Sequence, residues 1–183
     1  MSWMNKDNLY VKFGRDEANK VLGGEYQGSD GRHVHEFVIP YTEVQSASKV
    51  ILGSVANPGA LGVVLPKGLF IDEVIAEAEV AFTSSGTIGS STLQIGLVKA
   101  SDLTTDYDAD GLTSTSYVGS AFDAAGETTL FRAGSGTGYG SSIGTALTED
   151  TIVSVMNSQH ASHPYIGGRM RVRVIGHYPL ATA

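Results

Sequence analysis

Val74, Ala76, Ala78, Val80 and Phe82 fall on one parity of this chain, and Glu77 and Glu79 fall on the other. A side-chain period of two belongs to a strand with one buried and one wet face, and a helix cannot bury such a pattern. Just upstream, the apolar run Leu61-Gly62-Val63-Val64-Leu65 meets Pro66-Lys67-Gly68 and resumes as Leu69-Phe70-Ile71. After the Ser/Gly-rich segment 83–91, the alternation returns with Leu93, Ile95 and Leu97 opposed to Thr92, Gln94 and Val98. That turn is long for a hairpin, but its residues suit a loop. Residues 61–98 are therefore expected to form a central strand pair, a sheet core without a catalytic residue.

The rest of the chain agrees with a β architecture. Charged residues make up only 17% of the 183 residues and 23 are glycine, a balance that suits strands joined by turns better than helices. One domain with a real core is expected at this length. The net charge of -7 argues against a nucleic-acid partner, because phosphate binding needs a concentrated basic surface. With no cysteine, disulfides and thiolate metal sites are excluded. Residues 1–20 are broken up by charges and lack the apolar stretch of a signal peptide, and no window reaches membrane-helix length. A soluble protein made without a classical export route is expected, with no membrane contact.

In order, residues 1–32 read as an N-terminal arm whose one strand-like piece is Leu9-Tyr10-Val11-Lys12-Phe13. Residues 16–22 could turn once or twice as a helix before Gly23-Gly24, and 25–32 read as a loop. Residues 33–183 form the domain. In it, 33–39 is a strand closed by Pro40, with His35, Phe37 and Ile39 on one face and Val34, Glu36 and Val38 on the other. An apolar stretch at 48–55, strand or short helix, ends at the turn Asn57-Pro58-Gly59. Residues 101–129 carry Asp102, Asp106, Asp108, Asp110, Asp123 and Glu127 without a Lys or Arg, and read mostly as exposed loop with a brief strand at 117–119. Strands follow at 129–133 and 151–156, with loops at 134–144 and 159–168. The last strand puts Met170, Val172, Val174 and Tyr178 on one face and Arg169, Arg171 and Arg173 on the other. Short strands without a βαβ rhythm favour an all-β fold, a single jelly-roll or β-sandwich domain with an extended N-terminal arm.

No constellation carries chemistry, so no catalytic, cofactor-binding or metal residue is assigned. Asp106-Tyr107-Asp108-Ala109-Asp110-Gly111 matches half of an EF-hand loop, but its twelfth position is Tyr117 rather than a glutamate. A weaker calcium site and an ordinary acidic turn both remain open. Gly140-Ser141-Ser142-Ile143-Gly144 fits the Gly-x-Ser-x-Gly pattern without the strand a nucleophile elbow needs; a hydrolase would require a histidine within reach of Ser142. His33 and His35 share a strand face and His160 and His163 a turn, yet nothing brings the pairs together as a metal site. Glu77 and Glu79 read as the wet side of a strand rather than a glycosidase pair. If the last strand lies beside theirs, they meet Arg169, Arg171 and Arg173 in cross-strand ion pairs worth a few tenths of a kcal/mol each. Otherwise those arginines face an acidic partner subunit.

Asp7-Asn8-Leu9-Tyr10-Val11-Lys12-Phe13-Gly14 with Glu17-Ala18 and Gly23-Gly24-Glu25-Tyr26 resembles the opening of small virion proteins of tailed bacteriophages. The segments Leu65-Pro66-Lys67-Gly68-Leu69-Phe70-Ile71, Leu93-Gln94-Ile95-Gly96-Leu97 and Gly168-Arg169-Met170-Arg171-Val172-Arg173-Val174-Ile175-Gly176-His177-Tyr178 are similar too. The resemblance implies a non-enzymatic structural protein of the virion, assembled in the host cytoplasm. A capsid decoration or cement protein is the first expectation, with a head-to-tail or tail component beside it. Its implied partners are itself, as a homo-oligomer such as a trimer, and the major capsid protein. The alternative from another class is a carbohydrate-binding module on the virion surface, using Tyr107, Tyr117 and Tyr139 as stacking platforms.

Overall fold

The computed structural model describes residues 2–4, 10–15, 22–27, 31–52, 63–114, 117, 119–134 and 138–179. Among them run β1 (Ser2–Met4), β2 (Tyr10–Arg15), β3 (Leu22–Gln27), β4 (His33–Pro40), β5 (Val50–Ile51) and β6 (Val64–Leu65). The remaining strands are β7 (Phe70–Ser84), β8 (Gln94–Lys99), β9 (Asp106–Asp108), β10 (Thr128–Arg132), β11 (Thr151–Met156) and β12 (Tyr165–His177). They form two antiparallel sheets, one ordered β1-β2-β3-β4-β12-β7-β10 and the other β5-β11-β8-β9. β6 continues the β5 edge of β11: Val50 and Ile51 pair with Val155 and Ser154, while Val64 and Leu65 pair with Ile152 and Thr151. This all-β arrangement is consistent with a β-sandwich.

β7 and β8 are not a hairpin. They lie in different sheets, and the segment between them, with a 3-10 turn at Ile88–Ser90, crosses from one sheet to the other. The two alternating patterns meet through their apolar sides: Val74, Ala76, Ala78 and Phe82 share one buried cluster with Leu93, Ile95 and Leu97. Sequence alternation reports which face is buried, not which strand is the neighbour, and that is why the pairing was misjudged. β7 instead has β12 on one side and β10 on the other.

Two further departures have local causes. Val80 belongs to the apolar parity of β7 yet is 47% exposed. The β7–β12 register slips between Ala78↔Met170 and Val80↔Arg169, and again before Thr83↔Gly167. Each slip leaves an extra residue on β7, a bulge that re-aims the side chains beside it. On β8, Gln94 and Val98 are buried as well as the apolar parity. The Gln94 amide donates to the Ala109 carbonyl at 2.7 Å, and any side chain at Gly96 would strike that same carbonyl, so the chain after β9 arches over this face.

Among the described residues the arm carries three strands where the sequence suggested one. β1, β2 and β3 add to β4 in sequence order, with Tyr26 opposite Val34 and Glu25 opposite His35. The loop reading of 25–32 therefore fails at residues 25–27, where the open edge of β4 supplies hydrogen-bond partners that override the weak strand propensity of Gly23-Gly24. Of the helical reading at 16–22, residues 16–21 lie outside the described residues, and Leu22 opens β3. The turn at 57–59 also lies outside them. Gly119 starts a 3-10 turn, Gly119–Phe122, in place of a strand, and Phe122 is buried. β12 begins at Tyr165, inside the stretch read as loop, because that buried ring packs edge-on against Phe82 at 5.1 Å. Tyr178, read as inward, is 40% exposed.

Candidate functional site

The outer face of the larger sheet carries the most organised polar array. β12 lies between β4 and β7, so its outward arginines sit between Glu36 on one side and Glu77 and Glu79 on the other. Arg173 Nε donates to Glu36 at 3.0 Å and its Nη2 to Glu77 at 3.1 Å. Arg171 donates to Glu79 and stands 3.8 Å from Glu36, and Arg169 pairs with Glu79 at 2.7 Å. Hydrogen bonding to Glu79 raises the Arg171 pKa further above its ordinary value. The foreseen cross-strand pairs of Glu77 and Glu79 with the three arginines are thus formed. Glu36 was missed as a member: its parity on β4 was legible, but its place beside β12 was not. Guanidinium groups meet the charges of both Glu77 and Glu79.

The acidic loop is folded onto the body. Asp106 pairs with Lys49. Asp108 Oδ2 accepts from Ser141 Oγ at 2.7 Å and from Ser142 Oγ at 2.6 Å. Burial works against the Asp108 carboxylate, yet the Ser142 and Ser141 hydroxyls hold its pKa below the usual range. Burial and the adjacent Asp108 push Asp110 upward. Ser142 is itself buried, and its hydroxyl points at a carboxylate rather than at an imidazole. Among the described residues, no group of three or more His, Cys, Asp or Glu side chains could hold a metal ion.

The histidines split between the two ends of the β7–β12 pair. His33 lies across from Gly176, near the Phe70 end of β7, whereas His163 Nδ1 accepts from the Thr87 backbone N–H at 3.1 Å beyond the other end. At about 3.3 Å per residue, the intervening strand keeps these pairs tens of ångströms apart. His35 is fully buried, and neither ring nitrogen has a hydrogen-bond partner. Burial, with His33 as a second cause, lowers its pKa to about 4.

The three tyrosines of the carbohydrate reading all pack against the core. Tyr117 lies 4.9 Å from Phe131 and 5.7 Å from Phe122, and its hydroxyl donates to Thr129 at 3.0 Å. The Tyr107 hydroxyl accepts from the Thr148 N–H at 3.1 Å. On the outer face of the smaller sheet, a cleft of about 90 Å³ is lined by Gln94, Gly96, Ser154 and Met156, with Lys49 and Asp106, which are paired with each other.

Beyond β4, β1, β2 and β3 project as a wing. Among the described elements, their principal contacts run along the sheet, to one another and to β4. No described helix is long and apolar enough to cross a membrane. Compared with known proteins, the chain matches no family model, no curated protein and no solved structure.

Proposed function

We propose that this chain is a non-enzymatic structural protein of a tailed-phage virion, a decoration or cement protein that binds copies of itself and the major capsid protein. The wing is the observation that carries this reading. A three-stranded extension whose principal contacts among the described elements run along its own sheet offers a surface that another subunit can cover, which is how an arm clasps an assembly. Many such contacts, each modest, multiply through symmetry.

The strand order supports a jelly roll as the finer fold. Taking β5 and β6 as one edge, β4-β12-β7-β10 opposite β5-β11-β8-β9 places consecutive strands in the interleaved order of two Greek keys. That fold recurs in capsid proteins, an analogy of architecture only. The non-enzymatic reading is supported by the Ser142 hydroxyl on Asp108 and by Glu77 and Glu79 on arginines.

The test is deletion of residues 1–32. The truncated protein should keep its cooperative melting, lose oligomer mass in light scattering, and weaken at least about tenfold in co-sedimentation with shells. Unchanged shell affinity would sink the proposal. Imaging the assembly separates the head from the neck or tail: three-fold or quasi-six-fold sites mark decoration, and one closed ring marks a junction.

A further inference from the structure

His35 stands at the root of the wing. It lies on β4, opposite Glu25 of β3 on one side and Val174 of β12 on the other. Its imidazole is fully buried and both ring nitrogens lack a partner, so the site accommodates only the neutral ring. His33, two residues away on the same face, has a buried Nδ1 that is also unpartnered, and its ring packs edge-on against Tyr178 at 4.8 Å. We infer that His35, with His33 beside it, is an acid-sensitive latch that releases the β1–β3 wing from β4 while the two-sheet body stays folded.

The surroundings decide which side yields. From β3, Glu25 is the ionisable group opposite His35, but it makes no hydrogen bond to the ring, and its charge acts on Tyr178. From β12, Val174 and Gly176 face the two histidines, and Arg173 points outward to Glu36 and Glu77. At the end of β12, His177 pairs with Asp72 at 2.9 Å. Asp150, which also acts on Tyr178, accepts from the Lys67 N–H at 2.8 Å. Among the described residues, Glu25 is the one carboxylate opposite His35 by register, yet no hydrogen bond links it to the ring, and a cationic His33 adds repulsion.

Water must therefore reach the ring once it is charged. On the β12 side, β4 is held along its whole length, from His33 to Pro40, and by Arg171 and Arg173 on Glu36. On the β3 side, pairing covers only the stretch from His33 to Phe37, and among the described residues no ion pair joins β3 to β4. The β3–β4 seam is the weaker one. The latch belongs to the chain itself and does not depend on what the wing touches.

Hydrogen exchange of the full chain, corrected for the intrinsic pH dependence of exchange, tests it. Between pH 6.5 and 4, β2 and β3 should lose protection at least about tenfold relative to β7, β8 and β11. In His35→Leu, that loss should move about one pH unit lower or vanish. Loss of wing and body together, or the same midpoint in His35→Leu, would overturn the inference. If His35→Leu does not fold, proton NMR of the wild-type rings decides. A His35 ring that stays neutral until the wing signals change upholds the latch, and one that titrates as a free histidine ends it.

Discussion

Ser142 Oγ donates to Asp108 Oδ2 at 2.6 Å, joining the acidic loop to the glycine-rich loop across 34 residues of chain. Gly111 and Gly140 make the approach possible: a side chain on Gly140 would strike the backbone of Asp110 and Gly111, and the Ser142 N–H donates to the Gly111 carbonyl at 3.1 Å. The serine in the nucleophile-like motif is thus a clamp between loops. Ser142→Ala should cost about 1–2 kcal/mol in denaturant melts at pH 7, since it removes a hydrogen bond to a charged acceptor in a buried setting. The hydroxyls favour the ionised carboxylate, so their contribution is present above the ordinary aspartate range and lost as pH falls through the lowered value. Asp110, displaced upward, takes a proton first. The gap between Ser142→Ala and wild type should narrow at the acid end, and a constant gap would contradict the assignment.

The arginine–glutamate array predicts a different signature. The exposed fractions of the Arg173 and Glu36 side chains are both 30%, so solvent screens the pair. A double-mutant cycle on Arg173→Ala and Glu36→Ala should give a coupling below about 1 kcal/mol that shrinks further as salt rises. A coupling several times larger, or one indifferent to salt, would show a stiffer and less hydrated array than the distances imply.

Gly168 separates backbone strain from steric exclusion. Its φ is 128°, and a Cβ there would come within 2.5–2.8 Å of the ring and Cα of Phe82. Gly31 shares a positive φ, 81°, but no described residue comes within 4 Å of such a Cβ. Gly31→Ala should therefore cost only about 1 kcal/mol for the left-handed conformation. Gly168→Ala should cost about 3 kcal/mol or more, because Phe82 would have to leave its place against Tyr165. Equal effects in thermal melts would place the cost in the backbone alone.

The legible parts of this fold were the ones that depend on one strand at a time. The inward parity of Val74, Ala76 and Ala78, of Phe37 and Ile39, and of Met170, Val172 and Val174 follows from water exclusion on one face and survives in the structure. The cross-strand pairing of Glu77 and Glu79 with the arginines was also foreseeable, because opposite charges on polar faces narrow the choice of neighbour. What failed depends on the second sheet or on pairing partners. β8 looked half-wet until Ala109 arched over it, and Glu25 looked like loop until β4 offered an edge. His35 was visible as an inward parity position. Its lack of any partner was not, since Glu25 stands opposite it in the sheet yet makes no hydrogen bond to the ring.

That missing partner yields the sharpest dependence on pH. A histidine whose folded pKa is lowered contributes stability that is full above the unfolded value and is lost as pH falls toward the folded one. For His35 the window runs from 6.5 down to about 4. The loss across it is roughly 3 kcal/mol by linkage. Denaturant titrations of the wild type should show this decline between those limits, steeper than the carboxylates alone produce. In His35→Leu, the unpaired ring nitrogens are replaced by an apolar group, so neutral-pH stability should hold or rise and the decline should flatten. If the variant and the wild type lost stability in parallel over that interval, the ring would have to be hydrated or paired in solution, and the packing at the root of the wing would differ from the one described.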